Sequence, residues 1–177
     1  MVLPVVIYND SILRKKCIEI DETYPDLDIL INDMWETVDK CNAFGIAAPQ
    51  INLSIKLFLV NTNFDNPKNG IRQVFINPTI LSKGSEVDRY NEGCLSLPGI
   101  LESVERPTSI VIQYFDENFD EHIEVFSGIN ARVIQHEYDH IQGKLFIDYL
   151  SPLGKRLLKG RLDKILRKDF KTTYKVK

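Results

Sequence analysis

QHEYDH, residues 135–140, is the segment that best predicts both the fold and the chemistry of this chain. In an α-helix, the side chains of His136 and His140 project from the same face because they are four residues apart. Both imidazoles can then reach one metal ion, at the ligand spacing of His-Glu-x-x-His sites. Glu137 lies between them, close enough to handle the protons of a bound water. Apolar residues at helical spacing in 129–134 favour a helix here over two unrelated surface histidines.

Length and composition favour a single globular domain over residues 1–177. Of the 177 residues, 44% are hydrophobic and 27% are charged, as in chains that bury their own core. No apolar run is long enough to span a bilayer, and the N-terminus lacks the basic region and cleavage site of an export signal. The three cysteines, Cys17, Cys41 and Cys94, form no Cys-x-x-Cys pair. We therefore expect reduced thiols, a cytoplasmic location and no membrane partner.

The charge is unevenly distributed along the chain. From Leu153 onward ten Lys and Arg stand against two Asp, which gives this part +8 and leaves −11 for the remainder of a chain of net charge −3. A basic C-terminal helix and tail, residues 152–177, on an acidic body is a pattern associated with polyanion contact. The alternative is a solvated face that balances the charge of the body.

Three further helices are predicted. Asp10 or Ser11 caps a short N-terminal helix. An apolar stripe at three- and four-residue spacing over 27–38 predicts a longer helix that ends near Cys41. Ser151 as N-cap and Pro152 at the first helical position open a last helix. Its apolar stripe consists of Leu158, Leu162, Ile165 and Leu166.

Between these helices the sequence has the period of a sheet. The predicted strands are rich in β-branched and aromatic residues and cover 56–61, 73–77, 85–91, 108–116 and 121–126. Loops at 66–70 and 116–120 would join antiparallel neighbours. The segment 43–50 fits neither a helix nor a regular strand. The predicted fold class is α+β, with antiparallel strands packed around a central metal-binding helix, an N-terminal helix and a C-terminal helix.

A catalytic metal needs a third protein ligand. His122 lies in a strand that is predicted to be exposed. Phe146 stands where metzincins have their third histidine, and no Glu follows Glu137. Asp139 and Asp148 are carboxylate candidates, but Asp139 points away from the metal face of the helix.

Cys94, in the upstream segment 92–96 (EGCLS), is the favoured candidate. A divalent metal would deprotonate its thiol, and Gly93 lets the backbone approach another element. The alternative is a buried free cysteine, which is common in proteins.

Three segments together resemble the signature motifs of the peptide deformylase family. They are 44–50 (FGIAAPQ), 92–96 and 135–140, in the family's order, and the resemblance extends from Leu3 to Leu153. The chain departs from the family pattern at Ala43, where a glycine is usual, and at Ser11, where a proline is usual. The resemblance implies hydrolytic removal of the formyl group from N-formyl-methionyl nascent polypeptides, with release of formate.

The resemblance also implies roles for individual residues. One divalent ion would be held by Cys94, His136 and His140, with Fe²⁺ expected and Zn²⁺, Ni²⁺ or Co²⁺ as substitutes. The ligand spacing by itself also suits Zn²⁺. Glu137 would act first as base and then as acid.

Other site residues are implied by the motifs. The Gln50 side-chain amide and the Leu95 backbone N–H would stabilise the oxyanion, and Gly45 belongs to the same catalytic set. Glu92 and Arg106 would form a buried pair that supports the Cys94 loop.

The first motif suggests how substrate binds. Residues 43–46 would pair with the peptide backbone as an added strand. Phe44, Ile46 and Val133 would line a pocket for the methionine side chain, with membership of the core as the alternative.

Two other functions remain alternatives from the sequence. One is a zinc endopeptidase, which the missing downstream ligand disfavours. The other is a closed structural metal site with Cys17 or Cys41 as fourth ligand. We also expect the basic C-terminal helix to contact the ribosome, with no specific DNA partner. Deletion of the residues after Lys168 is predicted to leave activity on short peptides unchanged, on the premise that the tail lies outside the site.

Overall fold

The computed structural model describes residues 1–65 and 67–177. The α-helices in this part of the chain are α1 (Leu27–Cys41), α2 (Gly128–Ile141) and α3 (Pro152–Leu166). Shorter 3-10 helices cover Ser11–Arg14, Ala48–Ile51 and Phe146–Tyr149. The strands are β1 (Gly45–Ala47), β2 (Leu57–Asn61), β3 (Arg72–Lys83), β4 (Val87–Gly93), β5 (Leu101–Pro107), β6 (Ser109–Phe115) and β7 (Glu121–Ser127).

The strands form two antiparallel sheets. Five of them pair in the order β1-β2-β3-β6-β7, and β4 pairs with β5. The α+β prediction, with antiparallel strands around α2 and helices near both ends, is confirmed.

The larger sheet is sandwiched between two helices. Phe58 and Val60 of β2 pack with the apolar face of α2, whereas Leu57 and Leu59 face α1. All five residues of β2 are buried because both faces of the sheet are covered. Helix α2 therefore lies in the interior, where its histidines are shielded from water.

The predicted helices are present. Asp10 caps the first short helix by accepting a hydrogen bond from Ile12 N at 3.0 Å. The Ser151 hydroxyl accepts one from Gly154 N at 3.1 Å, so the predicted N-cap of α3 is confirmed. In the stripe of α3, Leu158 and Ile165 are buried, but Leu166 is 47% exposed and does not belong to the core.

The strand predictions were less accurate. Strand β5 was missed because its inward-facing positions include Arg106, which hides the alternation of apolar and polar residues. Strand β3 runs past the predicted end at Asn77. One register shift, between Ile76 and Thr79, accommodates Pro78, and a second lies between Ile80 and Ser82.

The segment 43–50 is more regular than predicted. It contains β1, which pairs with β2, and the start of the 3-10 helix Ala48–Ile51. The loop at 116–120 joins β6 to β7 as predicted. Of the loop predicted at 66–70, Asn66 lies outside the described residues. No helix in the described part of the chain has the length and apolar character needed to cross a membrane.

Candidate metal centre

Helix α2 places His136 and His140 side by side. Their ring centroids are 5.1 Å apart and the ring planes cross at 78°. Cys94 directly follows β4, and its Sγ lies 3.3 Å from His140 Nε2. One donor atom from each of the three side chains lies within 4.8 Å of the other two. A thiol and two imidazoles at this separation form a cluster able to bind a divalent metal ion.

The surroundings of the cluster fit such an ion. Burial holds the pKa of His140 well below its usual value, which favours the neutral imidazole that a metal requires. Nδ1 of His136 lies 2.9 Å from a Glu92 oxygen, so Nε2 is left for the cluster. Among the described residues, Oε2 of Glu137 is buried without a hydrogen-bond partner. An unpaired carboxylate oxygen beside three ligands suits a site that receives a reacting water.

Glu137 is buried next to strand β1. It occupies the space that a side chain at position 45 would need, and Gly45 leaves that space open. Burial raises the pKa of the Glu137 carboxyl to about 7. A carboxyl group with a pKa near neutrality can both accept a proton and return it.

The Gln50 side chain is oriented by a backbone N–H three residues before it. Its Oε1 accepts a hydrogen bond from Ala47 N at 2.8 Å. The amide nitrogen therefore points the other way, to Cys94 Sγ at 3.3 Å and Ser96 Oγ at 3.2 Å. The Gln50 N–H donors are thus held beside the candidate ligand Cys94.

Buried ion pairs support the candidate ligand His136 on the side away from the cluster. Both Glu92 oxygens accept hydrogen bonds from Arg106, from Nε at 2.6 Å and from Nη2 at 2.9 Å. Arg106 also donates from Nη1 to Asp139 at 2.7 Å, and the Tyr149 hydroxyl donates to the other Asp139 oxygen at 2.9 Å. Since Glu92 bonds His136, this network fixes the orientation of that imidazole. Asp139 faces away from the metal cluster, as its helix position predicts.

The sequence reasoning missed Arg132. It is buried in the same network and donates to Glu92 Oε1 and to Val104 O, each at 2.9 Å, and to Asp88. It precedes His136 by one helical turn, so it shares the face of α2 that carries the ligands. The spacing 132, 136 and 140 was therefore a signal that was available in the sequence.

An open cavity of about 470 Å³ lies in front of the cluster. Phe44 and Val133 line it, together with Gly45, Gln50 and Glu137. The large side chains at its edge include Tyr90 and Leu101, which are 51% and 59% exposed.

The assignment of Ile46 to the substrate pocket is wrong. Its side chain is fully buried in the core beside α1. Successive residues of a strand face opposite sides of the sheet, so Gly45 faces Glu137 while Ile46 faces α1. The alternative, membership of the core, is correct for this residue.

The other cysteines lie apart from the cluster. Cys17 is buried in the core between α2 and the sheet, and Cys41 lines the cavity. Within the described residues, the group of potential metal ligands contains only Cys94, His136 and His140. The closed structural site with a fourth cysteine ligand therefore finds no support here.

The C-terminal tail is not outside the site, as the sequence had suggested. Tyr174 lines the cavity, and its hydroxyl donates to the Leu95 carbonyl oxygen at 2.8 Å. Burial raises the pKa of this phenol well above its usual range. The premise that the tail lies outside the site is therefore wrong.

Comparison with known proteins gives a consistent result. Residues 2–156 match the family described as polypeptide deformylase. The peptide deformylase of Cytophaga hutchinsonii is 44% identical over 179 residues, which cover 100% of this chain and 97% of the relative. That of Christiangramia forsetii is 43% identical over 188 residues, covering 100% of this chain and 96% of the relative.

Solved structures agree with the sequence relatives. The crystal structure of a peptide deformylase from Legionella pneumophila has a TM-score of 0.85 and 32% identity, and covers 96% of this chain and 98% of that chain. The Plasmodium falciparum peptide deformylase in complex with an inhibitor has a TM-score of 0.82 and 33% identity, and covers 92% of this chain and 99% of that chain. With its sequence matched over most of its length and its fold shared with these enzymes, the chain belongs to the polypeptide deformylase family, whose known activity is the deformylation of nascent peptides.

Proposed function

We propose that this chain is a metal-dependent hydrolase that removes the formyl group from N-formyl-methionyl polypeptides and releases formate. The observation that carries the proposal is the convergence of Cys94, His136 and His140 beside the buried Glu137 at an open cavity. The ligand set leaves a coordination position for a reactant, as catalytic sites require. The function of the family and the chemistry of these residues agree.

Cys94, His136 and His140 would hold one divalent ion. Fe²⁺ is the proposed physiological metal, and Zn²⁺, Ni²⁺ or Co²⁺ are proposed substitutes. When bound, such an ion lowers the pKa of a water and polarises the formamide carbonyl. Glu92, held by Arg106 and Arg132, would bind Nδ1 of His136 and so keep Nε2 of that ring directed at the metal.

Glu137 would move the proton. Its carboxylate takes a proton from the attacking water and returns it to the departing amine nitrogen, which balances the hydrolysis. The formyl oxygen, which becomes negative, would accept hydrogen bonds from the Gln50 amide and the Leu95 N–H. Loss of one such donor typically costs about 3 kcal/mol of transition-state stabilisation.

The peptide would bind along β1. This strand lies at one edge of its sheet as described, and its residue Gly45 lines the cavity with Ala43 and Phe44. An extended peptide can therefore add to this edge through backbone hydrogen bonds. Phe44 and Val133 supply apolar surface for the methionine side chain.

The test is formate release from a formyl-methionyl peptide by protein prepared without air. We expect formate from this peptide. The same peptide carrying an acetyl group should stay intact, with no free amino group formed. Activity should fall on exposure to air if Fe²⁺ is the bound metal. An enzyme that cleaves internal bonds of unformylated peptides and releases no formate would support the endopeptidase instead.

The basic face of α3 is the proposed contact with the ribosome. Its members, with the start of the tail, are all exposed: Lys155, Arg156, Lys159, Lys164, Arg167, Lys168 and Lys171. Leu158 and Ile165 bury one side of the helix, which leaves the cations distributed over its exposed sides. Nascent chains exist only at the ribosome, in the cytoplasm, and ribosomal RNA supplies the phosphates that such a face would bind.

A further inference from the structure

The C-terminal tail returns to the body of the protein beside the metal centre. After α3, Val5 N donates to Lys175 O and Lys177 N donates to Val5 O, each at 2.9 Å. Phe170 and Val176 pack against the core cluster that contains Leu97 and Ile165. The tail is therefore attached by both hydrogen bonds and apolar contacts.

The N-terminal segment connects this tail to the two loops of the site. Val6 N donates to Gln50 O at 2.7 Å, and Tyr8 N donates to Ser96 O at 2.8 Å. Val5, in the same segment, forms the two backbone hydrogen bonds to the tail that are given above. A continuous set of backbone hydrogen bonds thus links the last residues of the chain to Gln50 and to the Cys94 loop.

Tyr174 connects the tail to the site. Its ring lines the cavity, and its hydroxyl donates to Leu95 O at 2.8 Å. The Thr172 hydroxyl donates to the Tyr174 carbonyl oxygen at 2.7 Å, which fixes the backbone from which the ring projects. The family match ends at residue 156, so the signature motifs do not account for this contact.

We propose that Tyr174 is a positioning residue for the deformylation proposed above: it anchors the Leu95 carbonyl and so orients the Leu95 N–H towards the reacting oxygen. The N–H and the carbonyl of Leu95 belong to the two peptide groups that flank one Cα, and both lie in the turn closed by the hydrogen bond from Leu97 N to Cys94 O. Within a closed turn the two groups cannot rotate independently, so anchoring the carbonyl also restrains the N–H. Oxyanion donors act only when they are held near the productive geometry before reaction, within about 0.5 Å. The ring of Tyr174 has a second effect, because it forms part of the cavity wall and contributes to substrate binding.

Two variants separate these effects. Tyr174→Phe keeps the ring and removes the hydrogen bond, so kcat should fall about three- to tenfold, as expected for one neutral hydrogen bond, while KM stays nearly constant. Tyr174→Ala removes the wall as well, so KM should also rise. Tyr24→Phe is the matched control, because this half-buried tyrosine packs in the core beside α1 and is not among the cavity residues. Each protein is assayed on a formyl-methionyl peptide with its metal content measured.

Hydrogen exchange gives a readout that does not depend on activity. The amide of Leu97 bonds Cys94 O at 2.9 Å in the turn that contains Leu95. In Tyr174→Phe, exchange in segment 94–97 should become at least about threefold faster, while residues 175–177 and the control remain unchanged. Unchanged exchange in 94–97, or a kcat within twofold of the wild type, would overturn the role of Tyr174. If the metal-loaded wild type releases no formate, it is the proposed function that fails.

Discussion

Gly45 and Glu137 lie so close together that no larger residue fits at position 45. A Cβ added to Gly45 would lie 2.8 Å from both Cγ and Oε1 of Glu137, and 2.7 Å from the carbonyl oxygen of Leu59. Contacts below about 3 Å between such atoms are strongly repulsive. The contact with Glu137 can be relieved by moving that side chain, but the contact with the Leu59 carbonyl oxygen falls on the backbone of the paired strand β2, so β1 must shift as well.

Gly45→Ala should therefore impair catalysis, by displacing Glu137, and also lower stability, because β1 must shift against β2. We expect a loss of activity of about 100-fold, because a displacement of about 1 Å at a catalytic group has that effect. The metal should remain bound, since the three atoms nearest to the new methyl group belong to Leu59 and Glu137 and not to a ligand. Gly160→Ala is the control, because its Cβ would meet nothing within 4 Å on α3. Equal activity of the two variants would contradict the tight contact between Gly45 and Glu137.

Glu137→Gln tests the proton transfer. The amide keeps the size of the side chain but cannot accept a proton at working pH. Hydrolysis should fall about 10²- to 10⁴-fold, the usual contribution of a general acid–base group, while the metal content stays complete. Metal analysis and formate release on the same sample check both expectations. Turnover near that of the wild type at full metal occupancy would exclude the proposed role.

Cys94→Ser tests the third ligand. A serine hydroxyl is a poor substitute for a thiolate, so metal content should drop sharply. Cys41→Ser and Cys17→Ser should keep their metal, although Cys41 lies in the same cavity, because neither belongs to the convergent group of ligands. Loss of metal in either of these controls, with retention in Cys94→Ser, would show that the site is misassigned.

Arg106→Lys tests the support behind His136. An ammonium group cannot reproduce three hydrogen bonds to Glu92 and Asp139, so His136 should lose part of its orientation. We expect metal affinity to fall about 10- to 100-fold, as is typical when such outer partners are changed. Arg89→Lys is the control, since its ion pair with Glu105 is on the surface. Equal affinities in a metal titration of both variants would count against the network.

Reversal of charge on α3 tests the ribosome contact. Lys159, Lys164 and Lys168 are exposed, and their replacement by Glu leaves the apolar side of the helix intact. Co-sedimentation with ribosomes should decrease, and binding of the wild type should weaken steeply with salt. Activity on a short formyl peptide should be unchanged. If the variant and the wild type associate equally with ribosomes at low salt, the proposed contact between α3 and the ribosome is wrong.

Local patterns were enough to predict α2 and its two histidines. Residues four apart share a helix face whatever the rest of the fold, so the positions of His136, Glu137 and His140 relative to one another follow from the sequence. The caps of α3 and the stripe of α1 are local in the same way. Arg106 had the opposite effect. A charged residue on the buried side of β5 interrupts the alternation of apolar and polar residues by which a strand is predicted.

What the sequence by itself determined was therefore the chemistry of single elements: a helix with two ligands and a carboxylate, and a cysteine that follows a glycine. The family resemblance, and no local pattern, named Cys94 as a partner of the two histidines. The tertiary structure showed that contact, and it alone decided others, such as that of Tyr174. Cys94 approaches His140 across 46 positions of the chain, and Tyr174 reaches Leu95 across 79. The physical reason is that these contacts depend on the packing of several elements at once. Periodicity reports the face of one element and contains no information about its partner.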